Sequence, residues 1–353
     1  MFDEAVRQQK LADGRRYAER LAENPDIESV YLCGSLTAGL GNSTSDVDIY
    51  VVVHDGERPA RPEQSDYDGQ RVDIEVRTVR DLRRLAEGLR DAHATTEDNS
   101  AVWRLEEHFD DAVRLLSAEF VKAGPETVHT RDLLVQHVDR IRQVLISFRQ
   151  IRCVNVIEDI NGFLDDGLLD GALVTSGAML NEALEIFLFG CGDLYLGHKW
   201  IWHRLERSAG PTFPTEQVRR LAFRAPERPA DIVGFVRDRI AFSQVCLTAA
   251  LVDGWDRPEA GGWRHWTVGA DGPRRASDWL PYRFDDGLYL DTFRRRRFRM
   301  QPQWLRLWAE CGGGRSLAEV VKEHLVDADG DLTEAEVVQR LDKMFEAGTL
   351  VAR

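Results

Sequence analysis

The segment Tyr31 to Tyr50, Y-L-C-G-S-L-T-A-G-L-G-N-S-T-S-D-V-D-I-Y, constrains the fold more than any other stretch of the chain. Ile27 to Cys33 is rich in strand formers and stops at Gly34-Ser35, and about ten residues later Asp46-Val47-Asp48 opens a second strand that reaches Val53. A third strand is predicted over Arg71 to Thr78, where Val72, Ile74 and Val76 take one face and Asp73 and Glu75 the other. Roughly the first 25 residues read as an amphipathic helix, and Val79 to Arg90 as another. Together these elements predict an α/β unit built on a small sheet.

Strand side chains alternate, so Asp46 and Asp48 share a face. Two such carboxylates suit Mg²⁺, which takes oxygen ligands, binds one or two carboxylates together with substrate phosphates, and offsets charge in phosphoryl or nucleotidyl transfer. Gly34 lets backbone approach a phosphate, and Ser35 opens a short helix where a hydroxyl and backbone N–H groups donate to it. Asp73 or Glu75 is phased to add a third carboxylate, as a second-metal ligand or as the base, and the sequence leaves both open. Singly, each feature is as readily a solvated strand edge or a capped turn. In this order and spacing they point to one site.

The Gly-Ser, the spacer, the Asp-x-Asp and the later strand acid resemble the DNA polymerase β-like nucleotidyltransferase superfamily over roughly residues 20 to 95. The small bacterial antibiotic adenylyltransferases are most similar in plan, a minimal catalytic domain followed by a helical bundle. The resemblance implies that Gly34 and Ser35 hold the nucleotide's phosphates, that Asp46 and Asp48 bind Mg²⁺ in a two-metal site, and that Asp73 or Glu75 is the third acid. It implies ATP or another NTP as donor, and attack of an acceptor hydroxyl on the α-phosphate with release of pyrophosphate. The stretch Leu194-Tyr195-Leu196-Gly197-His198-Lys199-Trp200 is similar to a Lys-Trp loop of those enzymes, which implies that Lys199 reaches the phosphates; its alternative is a solvated lysine beside a packed tryptophan. Glu158 or Asp159 in the helical region could also serve as acceptor base, although most such helix acids are simply solvated.

Beyond Arg131 the period becomes helical, with Leu134, Val138, Ile141, Leu145 and Phe148 on one face, and a second long helix is expected over Gly171 to Phe189. Residues 253 to 280 mix Gly, Pro and Trp without a period and read as a linker or an ordered loop. A strand over Leu288 to Phe298 and helices near Pro302 to Glu310, Ser316 to Leu325 and Thr333 to Ala347 then follow winged-helix order. Trp308, Gly314, Arg315, Leu317, Val320 and Gly348 to Leu350 are similar to the pattern of the peptide-binding RiPP recognition elements typified by the pyrroloquinoline quinone biosynthesis D protein. That resemblance implies capture of a leader peptide by strand addition. The run Arg294 to Arg297 would attract an acidic peptide or phosphate, or is a charged strand edge that discourages aggregation.

The expected fold class is therefore α+β multidomain, with a mixed-sheet nucleotidyltransferase domain over 1–120, a helical domain over 121–255, a linker over 256–280 and a winged helix over 281–353. Forty-six Lys and Arg against sixty Asp and Glu leave a formal charge of −14, which disfavours duplex DNA as a partner. From Ser277 onward the count is 12 Lys and Arg against 14 Asp and Glu, which argues against DNA reading by the winged helix, although a local basic patch would evade that argument. No apolar run is read as a membrane span, and five scattered cysteines without C-x-x-C spacing point to a reducing cytoplasm rather than disulfides or a zinc site. His54, His93, His108, His203 and the other histidines lack ligand or triad spacing. Asp327 to Glu336 invites a calcium reading, but Leu325 stands where the first ligand is needed, so Thr333 is expected as a helix cap with Glu336 completing it. The leading expectation is a transferase that moves AMP to a hydroxyl of a small molecule or peptide, in RiPP maturation or as an aminoglycoside-type resistance enzyme. A non-catalytic, nucleotide-sensing or peptide-binding regulator is the competing class.

Overall fold

A computed structural model describes residues 3–54, 63–67, 69–224, 226–266, 269, 272–292, 296–327 and 332–351. The chain is α+β and divides into two compact units. Unit 1 comprises Met1–Ala92, Ser100–Val144 and Leu194–His203; unit 2 comprises His93–Asn99, Leu145–Asp193 and Arg204–Arg353. These boundaries differ from the expected breaks at 120, 255 and 280, with residues 121–144 and 194–203 belonging to unit 1.

Unit 1 is organised by helix α1 (Glu4–Ala22), strand β1 (Ile27–Cys33), the single turn α2 (Gly34–Thr37) and strands β2 (Val47–Val53), β3 (Glu63–Tyr67) and β4 (Gln70–Thr78). Helices α3 (Val79–Asp91), α4 (Ser100–Arg104) and α5 (Phe109–Leu116), strand β5 (Glu119–Lys122) and helix α6 (Pro125–Gln136) follow. The sheet is mixed, in the order β3-β4-β2-β1-β5, with β2 and β4 parallel and every other pair antiparallel. β1 is buried along its whole length, Glu28 and Ser29 included, and β2 nearly so, as suits strands at the centre of the sheet. Their residues Val30, Leu32, Val47 and Ile49 pack with Leu11 and Ala18 of α1 in one core, each large side chain contributing about 1.5–3 kcal/mol. α1 sits close because it carries Gly14, where a Cβ would lie 2.5 Å from Val47 Cγ1.

In unit 2 the long helix α7 (Val138–Asp165), which begins in unit 1, continues from Leu145, followed by α8 (Leu169–Gly190), α9 (Ile201–Ser208), α10 (Thr215–Phe223) and α11 (Ile232–Val252). α8 is long and apolar enough to cross a membrane, an exception to the sequence reading, yet 67% of its apolar window is buried. Its Glu182 and Glu185 are buried in ion pairs with Arg149 and Arg204, as suits a core helix packed on α11. Among the described residues of the Gly/Trp-rich stretch after α11, Trp255, Trp263 and Trp266 are buried and Trp266 stacks on Phe242 of α11.

The rest of unit 2 comprises β6 (Arg274–Arg275), β7 (Trp279–Phe284), β8 (Gly287–Thr292), β9 (Arg296–Arg299), α12 (Pro302–Glu310), α13 (Leu317–Asp327), α14 (Glu334–Ala347) and β10 (Leu350–Val351). The single strand expected over Leu288 to Phe298 is instead two, β8 and β9, paired antiparallel with β7 on the far side. Arg294 and Arg295 of the arginine run lie outside the described residues, as do residues 328–331 of the acidic turn. Thr333 caps α14 and Glu336 closes the capping box. β7 and α12 pack on α11, and Gln244 of α11 donates to the carbonyls of Ala276 and Trp279.

Candidate nucleotidyl-transfer site

The acids of unit 1 meet where the sheet's strand register brings them together. In the parallel β2–β4 ladder Asp48 is paired with Asp73 and Tyr50 with Glu75. Asp46, one residue before β2, is close enough to Asp73 to act on it electrostatically. The segment leading to it is pinned from both ends: Asn42 Oδ1 accepts from the Thr44 N–H, and Lys10 of α1 donates to the Ser45 carbonyl at 2.9 Å. Arg7, a turn earlier on α1, donates to the Leu36 carbonyl and holds α2. Helix α1 thus fixes both the Gly-Ser turn and the Asp-x-Asp.

Gly34 adopts φ +84°, and a Cβ there would stand 1.8 Å from Asp48 Oδ2. Only glycine brings the turn this close to the carboxylate. Ser35 is buried beside it in α2.

Arginines stand against the carboxylates. Arg114 of α5 pairs with Asp48 at 2.9 Å, and Arg71 with Asp46 at 2.9 Å and, more loosely, with Asp73 at 3.5 Å. Burial pushes the Asp48 carboxyl above the usual aspartate range; Arg114 pulls it down, and the charges of Asp46 and Asp73 add to the rise. Burial likewise raises Asp73, and its contact with Asp46 raises it further. Glu75 is drawn elsewhere: it pairs with Arg77 at 2.7 Å, Arg77 grips Asp111, and Tyr50 donates to the same Asp111. Of the two strand acids, Asp73 lies beside Asp46 and Asp48, and Glu75 belongs to an adjoining ion-pair network.

The donor set fits a divalent cation. Asp48 and Asp73 are register partners, the charge of Asp46 acts on both, and Asp73 Oδ1 is buried with only the loose 3.5 Å approach of Arg71 Nε. All donors are oxygens, the preference of Mg²⁺. Arg71 and Arg114 supply part of the positive charge that the group requires.

Residues 15–92 match the family model described as the nucleotidyltransferase domain. Over these residues the chain is similar to that domain. The matched stretch contains Gly34, Ser35, Asp46, Asp48, Asp73 and Glu75, and stops before Arg114. Among solved structures, a nucleotidyltransferase-like protein from Exiguobacterium sibiricum 255-15 is similar at 12% identity, covering 69% of this chain and 76% of that one with a TM-score of 0.39. No curated protein matches the chain.

The loop after α8 packs with the nucleotidyltransferase domain in unit 1. Burial pushes the Tyr195 phenol up to about 12, and Arg114 and Asp48 are close enough to act on it electrostatically. Lys199 is exposed, with its Nζ 5.4 Å from the Trp200 ring centroid. Glu158 and Asp159 are exposed on α7 in the other unit. Arg114, Asp111 and Tyr195 escape a sequence reading because their importance arises from tertiary contact; an Asp and an Arg three apart on a short helix is the only local sign.

Asp73 gives a direct test of this electrostatic picture. Its raised pKa in the folded state means that ionisation opposes folding, so stability is greatest below the ordinary aspartate value near 3.8 and falls as pH rises through the raised value. Asp73→Asn is therefore expected to raise the melting temperature in chelator at pH 7.5, with the difference shrinking as pH falls toward the ordinary aspartate value. Thermal unfolding across this pH range measures it, and a lower melting temperature at pH 7.5 would contradict the arrangement.

Proposed function

We propose that the chain is a Mg²⁺-dependent nucleotidyltransferase that moves a nucleoside monophosphate, AMP from ATP, onto a hydroxyl of a small-molecule or peptide acceptor. The observation that carries this reading is the parallel β2–β4 register, which sets Asp73 beside Asp48 with Asp46 in contact. In this proposal Asp46 and Asp48 hold Mg²⁺, and Asp73 is the third carboxylate. Bound Mg²⁺ supplies charge compensation for the triphosphate. Gly34 and Ser35 line the phosphates, and Arg114 keeps the Asp48 carboxylate ionised and oriented despite its burial. Asp73, held only loosely by Arg71 and with a raised pKa, accepts the acceptor's hydroxyl proton. The acceptor oxygen then bonds to the α-phosphorus, the bond between that phosphorus and the α,β-bridging oxygen breaks, and pyrophosphate leaves. Lys199 is exposed on the loop that carries Tyr195 and is assigned to the leaving phosphates.

For the acceptor, we propose a peptide held along β9. What supports this is that β9 pairs with β8 on one side and with no other described strand, leaving an edge rich in arginine. The two parts are separable by experiment. With α-labelled NTPs and extract fractions as the acceptor source, label should move to an acceptor only when Mg²⁺ is present, and no transfer with any NTP would refute catalysis. Charge reversal at Arg296 and Arg297 should abolish transfer to a peptide acceptor while leaving NTP binding intact; unaffected transfer would leave a small molecule as the acceptor.

A further inference from the structure

A second donor cluster lies in unit 2, outside the nucleotidyltransferase domain. We propose that His265, Glu310 and Asp327 bind one divalent transition-metal ion, Zn²⁺ by their chemistry. Nε2 of His265 is 2.7 Å from Asp327 Oδ2 and 3.7 Å from Glu310 Oε1, and the three ligand atoms all lie within 4.8 Å of one another. Zinc–nitrogen and zinc–oxygen bonds of about 2.0–2.2 Å put neighbouring tetrahedral ligands roughly 3.4 Å apart. The two His265 distances bracket that value, so a small opening of the His265–Asp327 contact admits the ion.

Independent support comes from Glu310 itself. It is 1% exposed, yet its Oε1, the oxygen turned toward His265, has no hydrogen-bond partner. A carboxylate oxygen left unpaired in the interior is costly, and a cation removes that cost. The other oxygen, Oε2, accepts from His324 Nδ1 at 2.9 Å, and His324 is itself buried. Such an outer partner fixes a ligand's orientation. Glu310 and Asp327 are the last residues of α12 and α13, where helix carbonyls add negative potential.

The donor set decides the class of ion. One imidazole with two carboxylates suits zinc and its first-row neighbours better than Mg²⁺. Three protein ligands also leave a fourth position for water or an exogenous donor. The ion ties the tryptophan-rich segment around His265 to the ends of α12 and α13. His265 is held for this by its neighbour Trp263, whose Nε1 donates to the His265 carbonyl.

The test uses the full-length chain, stripped with chelator and titrated with Zn²⁺ alone by competition with a chromophoric indicator. The expected result is one tight site per chain that survives Asp48→Asn and weakens at least a hundredfold in His265→Ala and in Asp327→Asn. Asp327 is exposed, so Asp327→Asn should retain the metal-free melting temperature, and Zn²⁺ should raise that temperature by several degrees in the wild type only. Wild-type affinity in both variants, or no zinc binding tighter than micromolar, would overturn the assignment. A proton shared between His265 and the two acids, in place of a metal, predicts that second outcome.

Discussion

Asp48→Asn is expected to lower NMP transfer about a thousandfold or more while leaving the chain folded. The carboxylate is held between Gly34 and Arg114 and beside Asp73, so no other side chain can take over its position. A metal that offsets transition-state charge is worth several kcal/mol, and each 1.4 kcal/mol is a factor of ten in rate. Asparagine keeps the shape but loses the charge, so the metal is bound weakly and Arg114 loses its ionic partner. Initial rates of label transfer at saturating NTP measure the effect. A reduction of less than tenfold would exclude Asp48 as a metal ligand.

Gly34→Ala is expected to be nearly as damaging for a different reason. Its backbone φ of +84° disfavours any side chain, and the added methyl would overlap Asp48 Oδ2, itself anchored by Arg114. Strain of this kind costs about 1–3 kcal/mol, a fall of roughly 2–10 °C in melting temperature for a unit of this size. Relief by displacing Asp48 would disarm the metal ligand, so NTP affinity and transfer rate should both fall at least tenfold. Calorimetry and thermal unfolding read the two losses separately. A variant with wild-type values for both would show that the turn does not need to approach the carboxylate.

Much of unit 1 was legible because its signals are local. Alternation marked β4, strand-forming residues marked β1 and β2, and the Gly-Ser break marked the end of β1. β3 was not legible, since E-Q-S-D-Y is a polar edge strand, and β5 is only four residues long. The choice between Asp73 and Glu75 could not be read, because both share a phase and only the inter-strand register sets one of them opposite Asp48. The stretch after α11 lacks a period because its tryptophans are buried against separate partners, Trp266 among Phe187, Phe213 and Phe242 and Trp255 under Arg283. His265 and Asp327, 62 residues apart, form a pair that no spacing rule finds.

The claim that the acids at the end of the sheet hold a metal-bound nucleotide is tested most directly by calorimetric titration of each Mg·NTP into the full-length chain and into the Asp46→Asn/Asp48→Asn variant. The account predicts saturable binding of at least one NTP to the wild type, dependent on Mg²⁺ and at least tenfold weaker in the variant. Equal binding by both proteins, or binding indifferent to Mg²⁺, would contradict it.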